Sequence, residues 1–120
     1  MLNKRNRLTK RGSFTYVYKK GARQSQGYIR LVYVTCKGAP KVGISVPNTV
    51  GKAVVRNKVR RRIRAAVRQK IGGCKGAQMV FSACKGAETL SYADIERAVE
   101  RLLTRSGLYE KKESNAVARD

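Results

Sequence analysis

The chain has 120 residues, 28 of them Lys or Arg against 7 Asp or Glu and no His, for a formal net charge of +21. This length fits one domain, and a 42 % hydrophobic content supplies enough apolar material for one core in spite of the charge. Without His, and with no carboxylate before Glu88, residues 1–87 lack the usual acid–base groups and hard-metal ligands, which argues against a self-sufficient hydrolase.

Residues 4–11 (Lys-Arg-Asn-Arg-Leu-Thr-Lys-Arg) read as a basic, mobile arm. Gly12-Ser13 offers a helix start with Ser13 as N-cap, and Gly21 offers the stop. Between them Phe14, Val17 and Tyr18 share one face, with Lys19 and Lys20 at the end where the dipole favours cations. Tyr28–Thr35 is rich in β-branched and aromatic residues and predicts a strand. Its alternation puts Tyr28, Arg30 and Val32 on one face and Ile29, Leu31 and Tyr33 on the other. The turn Lys37-Gly-Ala-Pro40 leads to a second strand, Val42–Val46, expected to form a hairpin with the first and to end at Pro47.

From Gly51 to about Lys70 the pattern is helical, with Val55, Val59, Ile63 and Val67 recurring every four residues beside Ala66. Asn57, Arg60, Arg61, Arg64 and Arg68 fall together on the far side, Lys58 and Arg62 flank the stripe, and Arg56 sits near it. Gly72-Gly73 ends this helix, and Gln78–Ala83 reads as a third strand. Ser91-Tyr-Ala-Asp94 has the form of a capping box and opens a helix with Ile95, Val99, Leu102 and Leu103 inward, closed by Gly107. The tail 110–120 is expected to fray. The order helix, strand, strand, helix, strand, helix predicts one α+β domain over residues 1–109, a small sheet with helices packed on it.

The charge is uneven: residues 1–87 carry 22 basic and no acidic residues, whereas 88–120 carry 6 basic and 7 acidic ones. Such a field repels itself unless a polyanion neutralises it, and it speeds encounter with one. The cations are spread over several elements rather than along one amphipathic helix, which favours nucleic acid over a membrane surface. No run approaches the ~20 apolar residues of a membrane span and no apolar stretch follows the N-terminal charges, so the expected location is the cytoplasm. Cys36, Cys74 and Cys84 each open a Cys-Lys-Gly-Ala tetrapeptide at irregular spacing without a C-x-x-C pair, and read as free thiols beside turns.

The strongest feature is the helix Lys52-Ala-Val-Val-Arg-Asn-Lys-Val-Arg-Arg-Arg-Ile-Arg-Ala-Ala-Val-Arg68. Guanidinium forks pair phosphates bidentately and stack on bases, and no carboxylate is present for i, i+4 pairing along this helix, so its outer face calls for an RNA. Phe14 and Tyr18, flanked by cations, could stack single-stranded bases, although an i, i+4 aromatic pair serves a core equally well. A phosphate-binding loop and any Ser/His or Cys/His arrangement are missing.

Gly43-Ile-Ser-Val46 followed by Val50-Gly-Lys-Ala-Val-Val-Arg-Asn-Lys-Val-Arg-Arg-Arg-Ile-Arg64 resembles the arginine-rich motif of the bacterial ribonuclease P protein component. Arg7-Leu8, Phe14, Val17-Tyr18 and Gly21 resemble that family's N-terminal helix, and Met79–Ala83 its last strand. The resemblance implies a mostly antiparallel sheet like the second domain of ribosomal protein S5, with a left-handed β-α-β crossover. It also implies a protein subunit, one per catalytic RNA, that supports Mg²⁺-dependent removal of the 5′ leader from precursor tRNA, the Mg²⁺ being bound mainly through the RNA. Carried over, Lys52, Arg56, Asn57, Lys58, Arg60, Arg61, Arg64 and Arg68 would face the catalytic RNA, and Phe14, Tyr18, Tyr28, Arg30 and Ser45 the leader. No side chain of the protein is assigned to catalysis or to metal. Three departures are Lys58 for an Arg, Pro47-Asn-Thr49 for a stretch commonly Ser-Lys-Lys, and Tyr18 for a Phe. The rival readings are a structural ribosomal-type RNA-binding protein and a nonspecific chaperone.

Overall fold

The computed structural model describes residues 7–8 and 11–109. Its main elements are helix α1 (Arg11–Lys20), strands β1 (Ala22–Gln26), β2 (Ile29–Thr35) and β3 (Lys41–Ser45), helix α2 (Ala53–Lys70), strand β4 (Ala77–Ala83) and helix α3 (Tyr92–Ser106). The four strands form one sheet in the order β1-β2-β4-β3. β4 buries Ala77, Met79, Phe81 and Ala83 on one side and Val80 on the other, and a strand apolar on both faces takes a central place. It runs antiparallel to β2 and parallel to β3, so α2 is the crossover that parallel neighbours require.

The expected hairpin is corrected. β2 pairs not with β3 but with β1, from Ala22↔Tyr33 to Gln26↔Ile29, and the segment through Pro40 instead carries the chain to the far edge of the sheet. β1 (Ala-Arg-Gln-Ser-Gln) is an edge strand with no buried residue, so no apolar alternation announces it. Helix α1 begins at Arg11, which puts Ser13 in its first turn rather than at its cap. Within the expected arm, Leu8 is buried and donates its N–H to the Val42 carbonyl at 2.8 Å, docking Arg7–Leu8 along β3. Residues 4–6 and 9–10 of the arm, and the tail 110–120, lie outside the described residues.

One side of the sheet is closed by α2 and α3. Val59, Ile63, Ala66 and Val67 of α2 and Ile95, Val99, Leu102 and Leu103 of α3 pack on Ile29, Leu31, Met79 and Phe81, with Val55 half-buried at the margin. The capping box of α3 forms: the Ser91 hydroxyl accepts from the Asp94 N–H at 3.1 Å, and the Asp94 carboxylate accepts from the Ser91 N–H at 3.3 Å. Gly107 ends the helix in the left-handed conformation at φ 80°. The other side carries α1, whose Val17 is buried with Leu8, Val32 and Val80 while Phe14, Tyr18 and Val34 pack around them.

Candidate nucleic-acid interface

A helix that buries one stripe turns its opposite face to solvent. On α2 that face holds Asn57, Arg61 and Arg68, all exposed, and Arg60 and Arg64, half-buried; Lys52 and Lys58 are exposed beside it. Arg60 Nη1 donates to Asn57 Oδ1 at 2.7 Å, so Asn57 braces an arginine. Other cations of this segment are committed to the protein itself. Arg56 Nε donates to the Gly51 carbonyl at 3.1 Å, Arg62 Nη1 to the Leu90 carbonyl at 2.8 Å, and Lys70 pairs with Glu100 at 3.2 Å. The two ion pairs formed among the described residues, Lys70–Glu100 and Arg97–Asp94, both involve α3, and neither touches Lys58, Arg60, Arg61, Arg64 or Arg68. These five cations lie close together without a counter-charge, an arrangement that repels itself until an anion arrives.

Phe14 and Tyr18 are half-buried, each with part of its ring on the small cluster around Val17. Phe14 lies on Gly43 of β3, where a β carbon would come within 2.4 Å of Phe14 Cζ, so a side chain there would lift the ring. The Tyr18 hydroxyl is 3.2 Å from Ser82 Oγ, and the Tyr18 carbonyl accepts from Arg23 Nη2 at 2.9 Å. Strand register aligns Ser25 with Arg30, Arg30 with Ser82, and Ser82 with Ser45. Because paired residues share a face, these four make a polar row across the sheet on the side that Tyr18 covers. Arg30 is exposed and Ser45 half-buried. A cavity of about 270 Å³ connects α1 to α2: Arg7, Phe14 and Gly43 line it from one side, Arg60 and Arg64 from the other. Arg60 and Arg64 also line a hollow of about 510 Å³ with Val54, Asn57 and Arg61. An aromatic ring next to unpaired guanidinium groups can stack a base and hold its phosphate.

Tyr28 does not share this groove. β2 starts at Ile29, and Tyr28 falls in the two-residue turn Gly27-Tyr28, where strand alternation no longer aims side chains. Its ring lies against Gly86, and it lines a separate cavity with residues of α3. Nothing in residue spacing marks Gly43 as the seat of Phe14, whereas Ser82 is legible as a lone hydroxyl in the apolar run Met79-Val-Phe-Ser-Ala83. The cysteines are all free, and burial pushes the Cys74 thiol up to about 11, the opposite of activation.

A family model described as Ribonuclease P matches residues 2–107. The chain belongs to this family. It is similar to the ribonuclease P protein component of Clostridium kluyveri, 36 % identical over 107 residues that cover 86 % of this chain and 96 % of the relative. To that of Bacillus velezensis it is 34 % identical over 118 residues, covering 94 % and 99 %. The solved RNase P protein from Staphylococcus aureus shares the fold with a TM-score of 0.81, at 23 % identity over 88 % of this chain and 98 % of that one. For the protein from Thermotoga maritima the TM-score is 0.76, at 26 % identity over 82 % and 98 %. The architecture is consistent with the S5-like fold that the resemblance implies. A ribonuclease P protein component is a subunit of the ribonucleoprotein that cleaves precursor tRNA at its 5′ end, and this decides against the ribosomal-type and chaperone readings.

Ribonuclease P uses Mg²⁺, and the interface does not fit a directly held ion of that kind. Mg²⁺ takes hard oxygen ligands, yet no carboxylate precedes Glu88 and no group of three His, Cys, Asp or Glu is gathered among the described residues. The cations on the outer face of α2 have the chemistry to bind phosphate. No helix among the described residues is long and apolar enough to cross a membrane.

Proposed function

We propose that this subunit grips two RNAs at once, the catalytic RNA of ribonuclease P on the outer face of α2 and the single-stranded 5′ leader of precursor tRNA in the groove beside α1. Asn57, Lys58, Arg60, Arg61, Arg64 and Arg68, with Lys52 at the helix start, neutralise phosphates of the catalytic RNA. Arg56 does so only with the guanidinium nitrogens that Gly51 leaves free. Phe14 and Tyr18 stack leader bases, while Arg30 and Ser45 meet the backbone from the polar row. The RNA carries the Mg²⁺ and the hydrolytic chemistry. The protein lowers the repulsion between leader and catalytic RNA, so that substrate and metal bind at lower Mg²⁺. One copy of the chain acts per catalytic RNA, in the cytoplasm.

The observation that carries this reading is the cavity in which Phe14 and Arg7 meet Arg60 and Arg64, because it sets a base platform directly beside the cations of α2. Reconstitution with a bacterial ribonuclease P RNA tests it. At low Mg²⁺, leader removal is expected only when the chain is present, and the polypeptide alone is expected to leave precursor tRNA intact. Cleavage by the pure polypeptide, or leader removal at low Mg²⁺ that is indifferent to the chain, contradicts the reading.

A further inference from the structure

A second cavity, of about 280 Å³, opens between the β1–β2 turn and α3, on the side of the sheet opposite α1, and its chemistry repeats that of the groove. Tyr28 is 46 % exposed, and the Gly86 backbone backs its ring: a β carbon on Gly86 would lie 2.6 Å from Tyr28 Cε1. Gly86 also sits at φ +109°, a conformation that side chains rarely adopt. The ring is therefore supported on one side and open to water on another. Facing the same cavity are Arg97 and Arg101, one turn apart on α3. Arg101 is exposed and joins no ion pair among the described residues. Arg97 pairs with Asp94 at 2.6 Å in an exposed contact of little worth. Asp94, the one carboxylate lining the cavity, spends one oxygen on Arg97 and the other on the Ser91 N–H, which leaves Arg101 as the principal free charge. Arg105 donates at 2.8 Å to the Ser25 carbonyl and to Gln26 Oε1, tying the strand end that precedes the turn to the helix that carries the arginines.

An exposed ring and an unpaired guanidinium converging on an open cavity match an unpaired nucleotide, whose base takes the ring and whose phosphate takes the fork. An acidic peptide would use the arginine and leave the ring unused. Tyr28 precedes Arg30 by two residues, about 7 Å, and so lies next to the β1–β2 end of the polar row. We propose that this cavity is a further site for single-stranded RNA, which receives an upstream nucleotide of the leader after the strand rounds the β1–β2 turn. The inference rests on reading the α1 groove as the leader's path.

Affinity for precursor tRNAs with leaders of about five and about ten nucleotides, measured on the ribonucleoprotein reconstituted with the full chain, tests this. The longer leader is expected to bind more tightly. Tyr28→Ala and, separately, Arg101→Glu are expected to lower the long-to-short affinity ratio roughly fivefold or more. Arg101→Glu changes an exposed, unpaired side chain, so a parallel loss in the two variants reports contact rather than misfolding. An unchanged ratio in both variants, or equal losses on both leaders, overturns the site. Phe14→Ala separates the two failures. If it weakens both leaders while the Tyr28 and Arg101 variants leave the ratio unchanged, the cavity alone is rejected. If no variant weakens any leader, groove and cavity are rejected together.

Discussion

Beneath α2 and α3 the sheet belongs to a cluster of 20 buried residues, and the cations at its margin, Arg62 and Lys70, are tied to Leu90 and Glu100. Beneath α1 the apolar cluster has four buried residues, and two rings lie half in and half out. Since burial stabilises in proportion to the apolar area removed from water, the α2–α3 side supplies most of the folding free energy. The α1 side has only enough core to aim Phe14 and Tyr18, because a helix of ten residues does not persist without packing. Helix α2 belongs to both regions, holding the core with one stripe and presenting unpaired arginines with the other. Stability and RNA binding should therefore be separable by mutation.

The largest effect should come from the closed side. Phe81 is fully buried, and Phe81→Ala is expected to lower the free energy of unfolding by about 3–5 kcal/mol, a large part of what a small domain possesses. Urea denaturation reads this directly, and a loss below about 1 kcal/mol would erase the contrast between the two sides.

The open side should respond in binding. Phe14→Ala is expected to weaken leader-bearing precursor tRNA by about 1–3 kcal/mol and to leave mature tRNA unaffected. Gly43→Ala should produce a loss of the same kind, because its β carbon would occupy the place of the ring. Combined, the two should do no more harm than Phe14→Ala alone, since the glycine acts through the phenylalanine. Additive losses in a titration with precursor tRNA would show that Gly43 matters to β3 and not to the platform.

These contacts also mark the limit of what the chain discloses before it is folded. The inward stripe of α2 is legible because Val55, Val59, Ile63 and Val67 repeat over four turns, and the charge on its other face follows by subtraction. The α3 capping box is legible because it is local. β1 is silent, since an edge strand of Arg, Gln and Ser has no apolar rhythm. The pairing of β3 with β4 depends on a crossover through 31 intervening residues of helix and turn, and short-range turn signals favour the wrong neighbour. Tyr28 is misplaced for a similar reason: extending the alternation of β2 by one residue runs it into a turn. Contacts such as Phe14 on Gly43 are set by sheet order and leave no trace in spacing.

Loss of charge should be milder than loss of the platform. Arg61→Ala with Arg64→Ala is expected to reduce the slope of log affinity against log salt for the catalytic RNA by about 1–2 units. Thermal unfolding of the free protein should be unchanged or slightly later, because like charges one turn apart on a helix destabilise it by about 0.2–0.5 kcal/mol per pair. A destabilised variant with an unaltered slope would reassign this face to the protein's own packing.

The smallest effect is expected on the closed side, at the start of α3. Hydrogen bonds from the Ser91 backbone N–H and hydroxyl hold the Asp94 carboxyl below its usual range. A carboxyl lowered in the folded state stabilises the fold above its unfolded value, ~3.9, and that contribution disappears as pH falls through the lower folded value. Ser91→Ala is expected to destabilise the protein by about 1 kcal/mol at neutral pH, through loss of the cap, and to let the Asp94 value return toward normal. The stability gap between the two proteins should therefore narrow below about pH 4, while the salt slope for RNA, expected to depend on α2, stays as it was. A gap that holds constant from neutral to acidic pH would mean that the Ser91 hydroxyl caps α3 independently of the charge on Asp94.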